Sequence, residues 1–315
     1  MTSRTLGSLT VSPLCLGGNV FGWTADEATS FDILDAYADG GGLFVDTADS
    51  YSAWAPGNNG GESEEIIGRW LERGGRGRGL VIATKVGAHP EYRGLAPATL
   101  KAATEESLRR LGVDTIDLLY THFDDETVEV SDIVTALDDL VREGKVREIG
   151  ASNISPERLR ASLDFSAREG KAAYVALQPK YNLVARNAYE GPLAEVAAEY
   201  GLGAVPYSAL ASGFLTGKYR DGATVDSPRA SGAGRYLDTI EGPRVLSALD
   251  QIATGREVAP ATVALAWLAA RPTVTAPIAS ARDVEQLAPL LALREFELTT
   301  AELSTLDEAS GPSAV

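Results

Sequence analysis

Residues 43–51 read Leu43-Phe44-Val45-Asp46-Thr47-Ala48-Asp49-Ser50-Tyr51, and the fold can be read outward from them. Leu43, Phe44 and Val45 are apolar and β-prone, and the glycine run Gly40-Gly41-Gly42 ends the helical pattern before them. The spacing predicts a buried strand over Leu43–Thr47, with Asp46 at its end and Tyr51 on the following loop. Taken alone, Asp46 reads equally well as a loop cap and Tyr51 as a packing residue.

The same unit recurs along the chain: a short apolar strand, a polar loop, then an amphipathic helix. Strands are predicted at 14–16, 43–47, 80–86, 116–121, 148–152, 175–179, 204–208 and 274–279. Helical patterns lie between and after them, at 25–38, 62–73, 97–111, 130–142, 156–168, 187–200, 262–270 and 282–291. Ser155-Pro156 is a helix start of the N-cap and N1 kind. Eight βα units closing on themselves make an α/β fold of the (β/α)8 TIM-barrel class, with one domain expected to span residues 1–315. Residues 4–12 alternate around Gly7-Ser8 and predict an N-terminal β-hairpin. A long loop of about fifty residues, 211–261, is expected after strand 7, on the face where barrel enzymes carry their sites.

Bulk properties narrow the function. The chain has 315 residues, of which 44% are hydrophobic, and a net charge of −16. Nucleic acid and anionic membrane surfaces are therefore expected to be repelled. Cys15 is the only cysteine, which excludes an intrachain disulfide and suits a reducing compartment. No stretch reads as a signal peptide or membrane span, so a cytoplasmic location is expected.

In a barrel the reacting groups come from the C-terminal strand ends. Those ends hold Asp46 and Tyr51, then Lys85 in VIATKVG, then His122 after IDLLYT. A buried lysine needs a partner, and Asp46 on the next strand supplies one. The cation beside Tyr51 would favour a phenolate and strengthen the hydroxyl as a proton donor. In that order and at those strand ends, Asp46, Tyr51, Lys85 and His122 resemble the catalytic tetrad of the aldo-keto reductases. The likeness continues through REIGASN (147–153), QPKYN (178–182) and PYSALASGFLTGKY (206–219).

That resemblance implies a barrel that binds NADPH (NADH is not excluded) and reduces a small carbonyl substrate. Tyr51 would give the proton, Asp46 and Lys85 would tune it, and His122 would orient the carbonyl. It further implies cofactor contacts from Gly18, Asn19 and Asp46, and from Ser152, Asn153 and Gln178 around the nicotinamide carboxamide. Tyr207 would stack on the nicotinamide ring. Ser208, Leu210, Ser212, Gly213 and Lys218 match the loop along the pyrophosphate, with Arg229 as a further match in the same loop. Ser280, Arg282 and Gln286 match the adenosine end, and Arg282 suits a 2′-phosphate. Ser280 replaces a frequent glycine and Pro289-Leu290 a Glu-Asn pair that touches adenine, so adenine contacts depart from the pattern.

Trp23, Trp54, Tyr92 and Phe123 are candidates for an aromatic substrate wall or for loop anchors. No metal is expected, with His89 and His122 the only histidines. The run Gly75-Arg-Gly-Arg-Gly79 precedes a strand, the wrong order for a dinucleotide fingerprint, and reads as a connector. A monomer is the default for the fold, with an oligomer left open. The segment ASGFLTGKY also resembles the potassium-channel β-subunit branch, which offers an NADPH-binding regulatory subunit as the alternative. That branch carries asparagine where this chain has His122.

Overall fold

The computed structural model describes residues 3–220 and 230–311. It opens with the expected hairpin, β1 (Arg4–Leu6) and β2 (Leu9–Val11), which turns through Gly7 at φ +55°. A tight reversal of this kind uses left-handed backbone that glycine adopts without strain. Next come β3 (Cys15–Gly17), helix α1 (Glu27–Asp39), β4 (Phe44–Asp46), α2 (Glu62–Glu72) and β5 (Val81–Val86). A small antiparallel hairpin, β6 (Ala88–His89) and β7 (Tyr92–Arg93), precedes α3 (Pro97–Leu111). The alternation continues through β8 (Ile116–Thr121), α4 (Val130–Arg142), β9 (Val146–Ser152), α5 (Pro156–Glu169), β10 (Tyr174–Gln178), α6 (Pro192–Glu199) and β11 (Gly203–Ala204). The chain ends with a short helix α7 (Ala230–Gly234), α8 (Glu241–Arg256), α9 (Pro260–Ala269), β12 (Ile278–Ala279), α10 (Val284–Leu291) and α11 (Thr300–Ser310).

Eight strands form one parallel sheet in the order β11-β10-β9-β8-β5-β4-β3-β12. Its two edges meet. The Ala204 N–H donates to Thr273 O at 2.7 Å, Thr275 N–H to Ala204 O at 2.7 Å, and Ile278 N–H to Pro206 O at 2.9 Å. The sheet is thus a closed (β/α)8 barrel, as the repeat predicts.

Strand periodicity decides what faces inward. Phe44, Ala83, Leu118 and Ala176 fill one interior tier, together with Leu6, Leu9 and Val11 of the hairpin. The hairpin plugs the N-terminal end, and Arg4 ties it down by donating to the carbonyls of Val274, Thr275 and Ala269. Two residues further along the same strands stand Asp46, Lys85, Tyr120 and Gln178, the tier nearest the open C-terminal end. The outward-facing residues pack against the helices in a second, larger cluster.

Several boundaries differ from the sequence reading. The segment expected as a loop over 211–261 contains α8, whose Val245, Leu249 and Ile252 are buried. Gly242, Pro243 and Gly255 punctuate that stretch, so its signals read as loop, although Thr239 Oγ1 accepts from Gly242 N–H at the helix start. Helix α11 was missed although Thr299 and Glu302 make a capping box. Strands 7 and 8 are shorter than predicted: Pro206 and Pro277 have no N–H to donate, and the pairing around them survives as isolated bridges, Lys180 with Tyr207 and Ala204 with Val274. The sixth helix starts at Pro192, not Asn187. Among the described residues no helix is long and apolar enough to cross a membrane.

Candidate active site

Asp46 and Lys85 end up side by side because β4 and β5 pair in register, with Asp46 opposite Ala83 and Lys85 two residues on. Both side chains are only 1% exposed, and Lys85 Nζ lies 2.7 Å from Asp46 Oδ2. The same ammonium donates to Thr47 O at 2.7 Å and to Tyr51 Oη at 2.7 Å. Three donors thus meet three acceptors, which a buried cation requires. The second Asp46 oxygen accepts from Gln178 Nε2 at 2.8 Å. Tyr51 in turn donates to Asp46 Oδ2 over 3.3 Å, a long bond.

His122 follows β8, its backbone N–H donating to Val86 O at 3.0 Å. Its ring stands 6.0 Å from that of Tyr51 and stacks on Phe123 at 4.8 Å. Burial, and then the Lys85 charge, push the imidazole down to about 3, so it is neutral near pH 7. Ser50 Oγ lies 3.4 Å from its Nδ1.

Above this floor opens a cavity of about 420 Å³ that runs from Tyr51 and His122 to Arg282 and Gln286. One wall is Asn153, at φ +50°, whose amide donates to His122 O at 2.8 Å and accepts from Tyr207 Oη at 2.9 Å. Ser152 Oγ donates to Gln178 O at 2.8 Å. The turn after Tyr207 is left-handed at Ser208, Ala211, Ser212 and Gly213. The opposite wall is Gly17, where a Cβ would lie 2.6 Å from Ser280 Oγ, and Ser280 Oγ is 2.6 Å from Asn19 Oδ1. At the far end Asp283 caps α10 and accepts from Gln286 N, while Gln286 Oε1 accepts from Arg282 N at 3.3 Å.

A sequence profile described as the Aldo/keto reductase family matches residues 13–310. The chain belongs to the aldo/keto reductase family. It is 36% identical over 310 residues to an oxidoreductase of Bacillus subtilis, YrpG, covering 95% of this chain and 92% of that one. Norsolorinic acid reductase B of Aspergillus parasiticus is 31% identical, covering 96% of this chain and 81% of its own. A probable voltage-gated potassium channel subunit beta of Arabidopsis thaliana is 32% identical, covering 91% of this chain and 89% of its own. The family makes this chain an oxidoreductase, and its members use nicotinamide cofactors.

The residues of this reductase fit such a dinucleotide. The cavity is continuous, Gly17 keeps one wall low, and Lys218 and Arg282 put two cations on its lining in a chain of net charge −16. Of the residues expected from the sequence, Asn19, Ser152, Asn153, Gln178, Tyr207, Ser208, Leu210, Ser212, Gly213, Lys218, Ser280, Arg282 and Gln286 line it. Gly18 stands just behind, its N–H donating to Asp46 O at 2.7 Å. Arg229 lies outside the described residues.

Among the aromatic candidates, Trp23 and Phe123 line the cavity. Trp54 is 51% exposed and meets Trp23 edge-on at 5.6 Å. Tyr92 is not part of the lining and packs on His89 across the small hairpin. The sequence reading overlooked Val20, Thr24 and Thr216, which line the cavity without any chemical signature. It also overlooked Thr47, whose backbone carbonyl completes the Lys85 shell and leaves no trace in residue type. Gly75–Arg78 is a 3-10 turn between α2 and β5, the connector that was expected.

Proposed function

We propose that this aldo/keto reductase reduces an aldehyde or ketone to the alcohol with NADPH. The observation that carries the reading is the Lys85 ammonium, held 2.7 Å from both Asp46 Oδ2 and Tyr51 Oη at the floor of the cavity. The chemistry that a reduced nicotinamide would supply there is hydride for the carbonyl carbon. Tyr51 supplies the proton. Because Lys85 donates to the Tyr51 oxygen, the phenolic hydrogen is directed away from it, and its long bond to Asp46 is readily exchanged for a substrate carbonyl oxygen. The Lys85 cation then stabilises the phenolate left behind, and Asp46 and Gln178 keep the cation in place. His122, neutral in this setting, donates an N–H to the same carbonyl oxygen and orients it.

Ser152, Asn153 and Gln178 would hold the carboxamide, Tyr207 would pack on the nicotinamide, and Lys218 would offset the pyrophosphate charge. Arg282 takes the 2′-phosphate, which favours NADPH over NADH. Trp54 and Phe123, each about half exposed at the mouth, favour a substrate with a flat apolar ring. The protein works as a single-domain cytoplasmic monomer on a small molecule, without metal, nucleic acid or membrane.

The test follows reduced-nicotinamide absorbance with 4-nitrobenzaldehyde for wild type and Tyr51→Phe. Aldehyde-dependent oxidation with formation of the benzyl alcohol, nearly abolished in Tyr51→Phe, is the expected result. NADPH binding without turnover across a carbonyl panel would instead support a cofactor-binding regulatory subunit. The relatives named as potassium channel β subunits favour that second reading.

A further inference from the structure

Lys85 faces the barrel interior, but its neighbour Thr84 faces outward and touches a second buried charged cluster. Thr84 Oγ1 donates to Glu64 Oε1 at 2.5 Å, and Arg110 Nε donates to Glu64 Oε2 at 2.6 Å. Glu64 comes from α2 and Arg110 from α3, with exposures of 0% and 9%. Asp49, fully buried in the loop between Asp46 and Tyr51, faces the same cluster.

Asp49 joins that loop to β5. Beyond the last ladder residue, Thr47 N–H donates to Ala83 O at 2.8 Å and Asp49 N–H to Lys85 O at 2.9 Å. The next rung is made by a side chain: Gly87 N–H donates to Asp49 Oδ2 at 3.2 Å. Asp49 therefore grips β5 on both sides of Val86, two residues before Tyr51 has to reach Lys85 Nζ. Its other oxygen, Oδ1, is buried as well.

We propose that Asp49 is a positioning residue for the Tyr51–Lys85 pair, its buried carboxyl fastening the Tyr51 loop to the strand that carries Lys85. For the reaction, the inference rests on the reductase reading above.

The surrounding charges define what this fastening responds to. Glu64 of α2 and Arg110 of α3 face the carboxyl, while from the β6 strand His89 presents its backbone amide and from β5 Lys85 its carbonyl. The guanidinium is engaged by Glu64 and acts on Asp49 only through its charge. Burial, and then the Glu64 charge, push Asp49 up to about 7, against Arg110 and the Gly87 and His89 amides.

Two variants test this. Asp49→Ala removes the fastening. Its kcat is expected to fall at least tenfold with KM for NADPH within twofold, and hydrogen exchange in peptides covering 47–52 and 86–89 is expected to accelerate. Asp49→Asn keeps an acceptor for Gly87 but cannot ionise. It should retain most of kcat at pH 6 and lack the step near pH 7 expected of wild type.

Unchanged exchange and kcat in Asp49→Ala would overturn the proposal, as would superimposable pH profiles for wild type and Asp49→Asn. If Asp49→Ala does not fold, the Asp49→Asn profile decides. If wild type reduces no carbonyl, the reductase reading fails, and hydrogen exchange alone decides whether Asp49 fastens the loop.

Discussion

The two faces of β5 carry two buried ion pairs with different fates. On the inner face Lys85 and Asp46 are balanced one to one, and their cluster includes Tyr51, which opens onto the cavity. On the outer face Arg110 and Glu64 are joined by a second carboxylate, Asp49, and the whole cluster is closed. The inner pair is proposed to hold charge where a proton must move. The outer one carries a second carboxylate, whose charge opposes that of Glu64. Glu64 joins α2 to α3 and β5, and Asp49 is proposed to fasten the Tyr51 loop to β5. Buried charges of similar cost are thus proposed to serve chemistry on one face and placement on the other.

Breaking the inner cluster should have the largest effect. Lys85→Met leaves Tyr51 without its cation, and kcat is expected to fall by about 10²–10⁴. Removing the cation of the outer cluster should chiefly cost stability. Arg110→Met leaves Glu64 and Asp49 facing one another, and denaturant unfolding is expected to show a loss of about 3–5 kcal/mol.

The two clusters also predict opposite pH dependences of stability. His122 is depressed from 6.5 to about 3, so its contribution is present above 6.5 and lost as pH falls toward 3. Asp49 is raised from 3.8 to about 7, so its contribution is present below 3.8 and lost as pH rises through 7. Between pH 4 and 6.5 the two oppose each other. Relative to wild type, His122→Asn should lose stability as pH rises across that window, and Asp49→Asn should gain it. Denaturant midpoints at pH 4.5 and 6.5 check both signs; midpoints moving in parallel for all three proteins would refute the assignment.

The smallest effect is expected at the mouth. Trp54→Ala removes a half-exposed ring that meets both Trp23 and Tyr51 edge-on. It should raise KM for an aromatic aldehyde several-fold and leave KM for a short aliphatic aldehyde within twofold.

The inner cluster was legible because its members sit at ends of β-prone runs, where a charged residue has few structural uses. Asp46, Lys85 and His122 fall at the ends of β4, β5 and β8, and the eightfold alternation announced a barrel before any residue was matched. The outer cluster was not legible. Glu64 lies in ESEEIIG and Arg110 in LRRLG, where helical charges read as solvated, and only the packing of α2 on α3 buries them. Asp49 was hidden by its better-placed neighbours Asp46 and Tyr51. Helix α8 escaped for a different reason: its apolar stripe is interrupted by Gly242, Pro243 and Gly255, and tertiary packing overrides those local signals.

The central claim is that Lys85 acts through Tyr51, and a double-mutant cycle tests it most directly. The rate of 4-nitrobenzaldehyde reduction would be measured for wild type, Tyr51→Phe, Lys85→Met and the double variant, each saturated with NADPH. The account predicts that the double variant is no slower than the slower single one, because groups acting as a unit lose their effect together. Losses that multiply would show that Lys85 and Tyr51 work independently, and would contradict it.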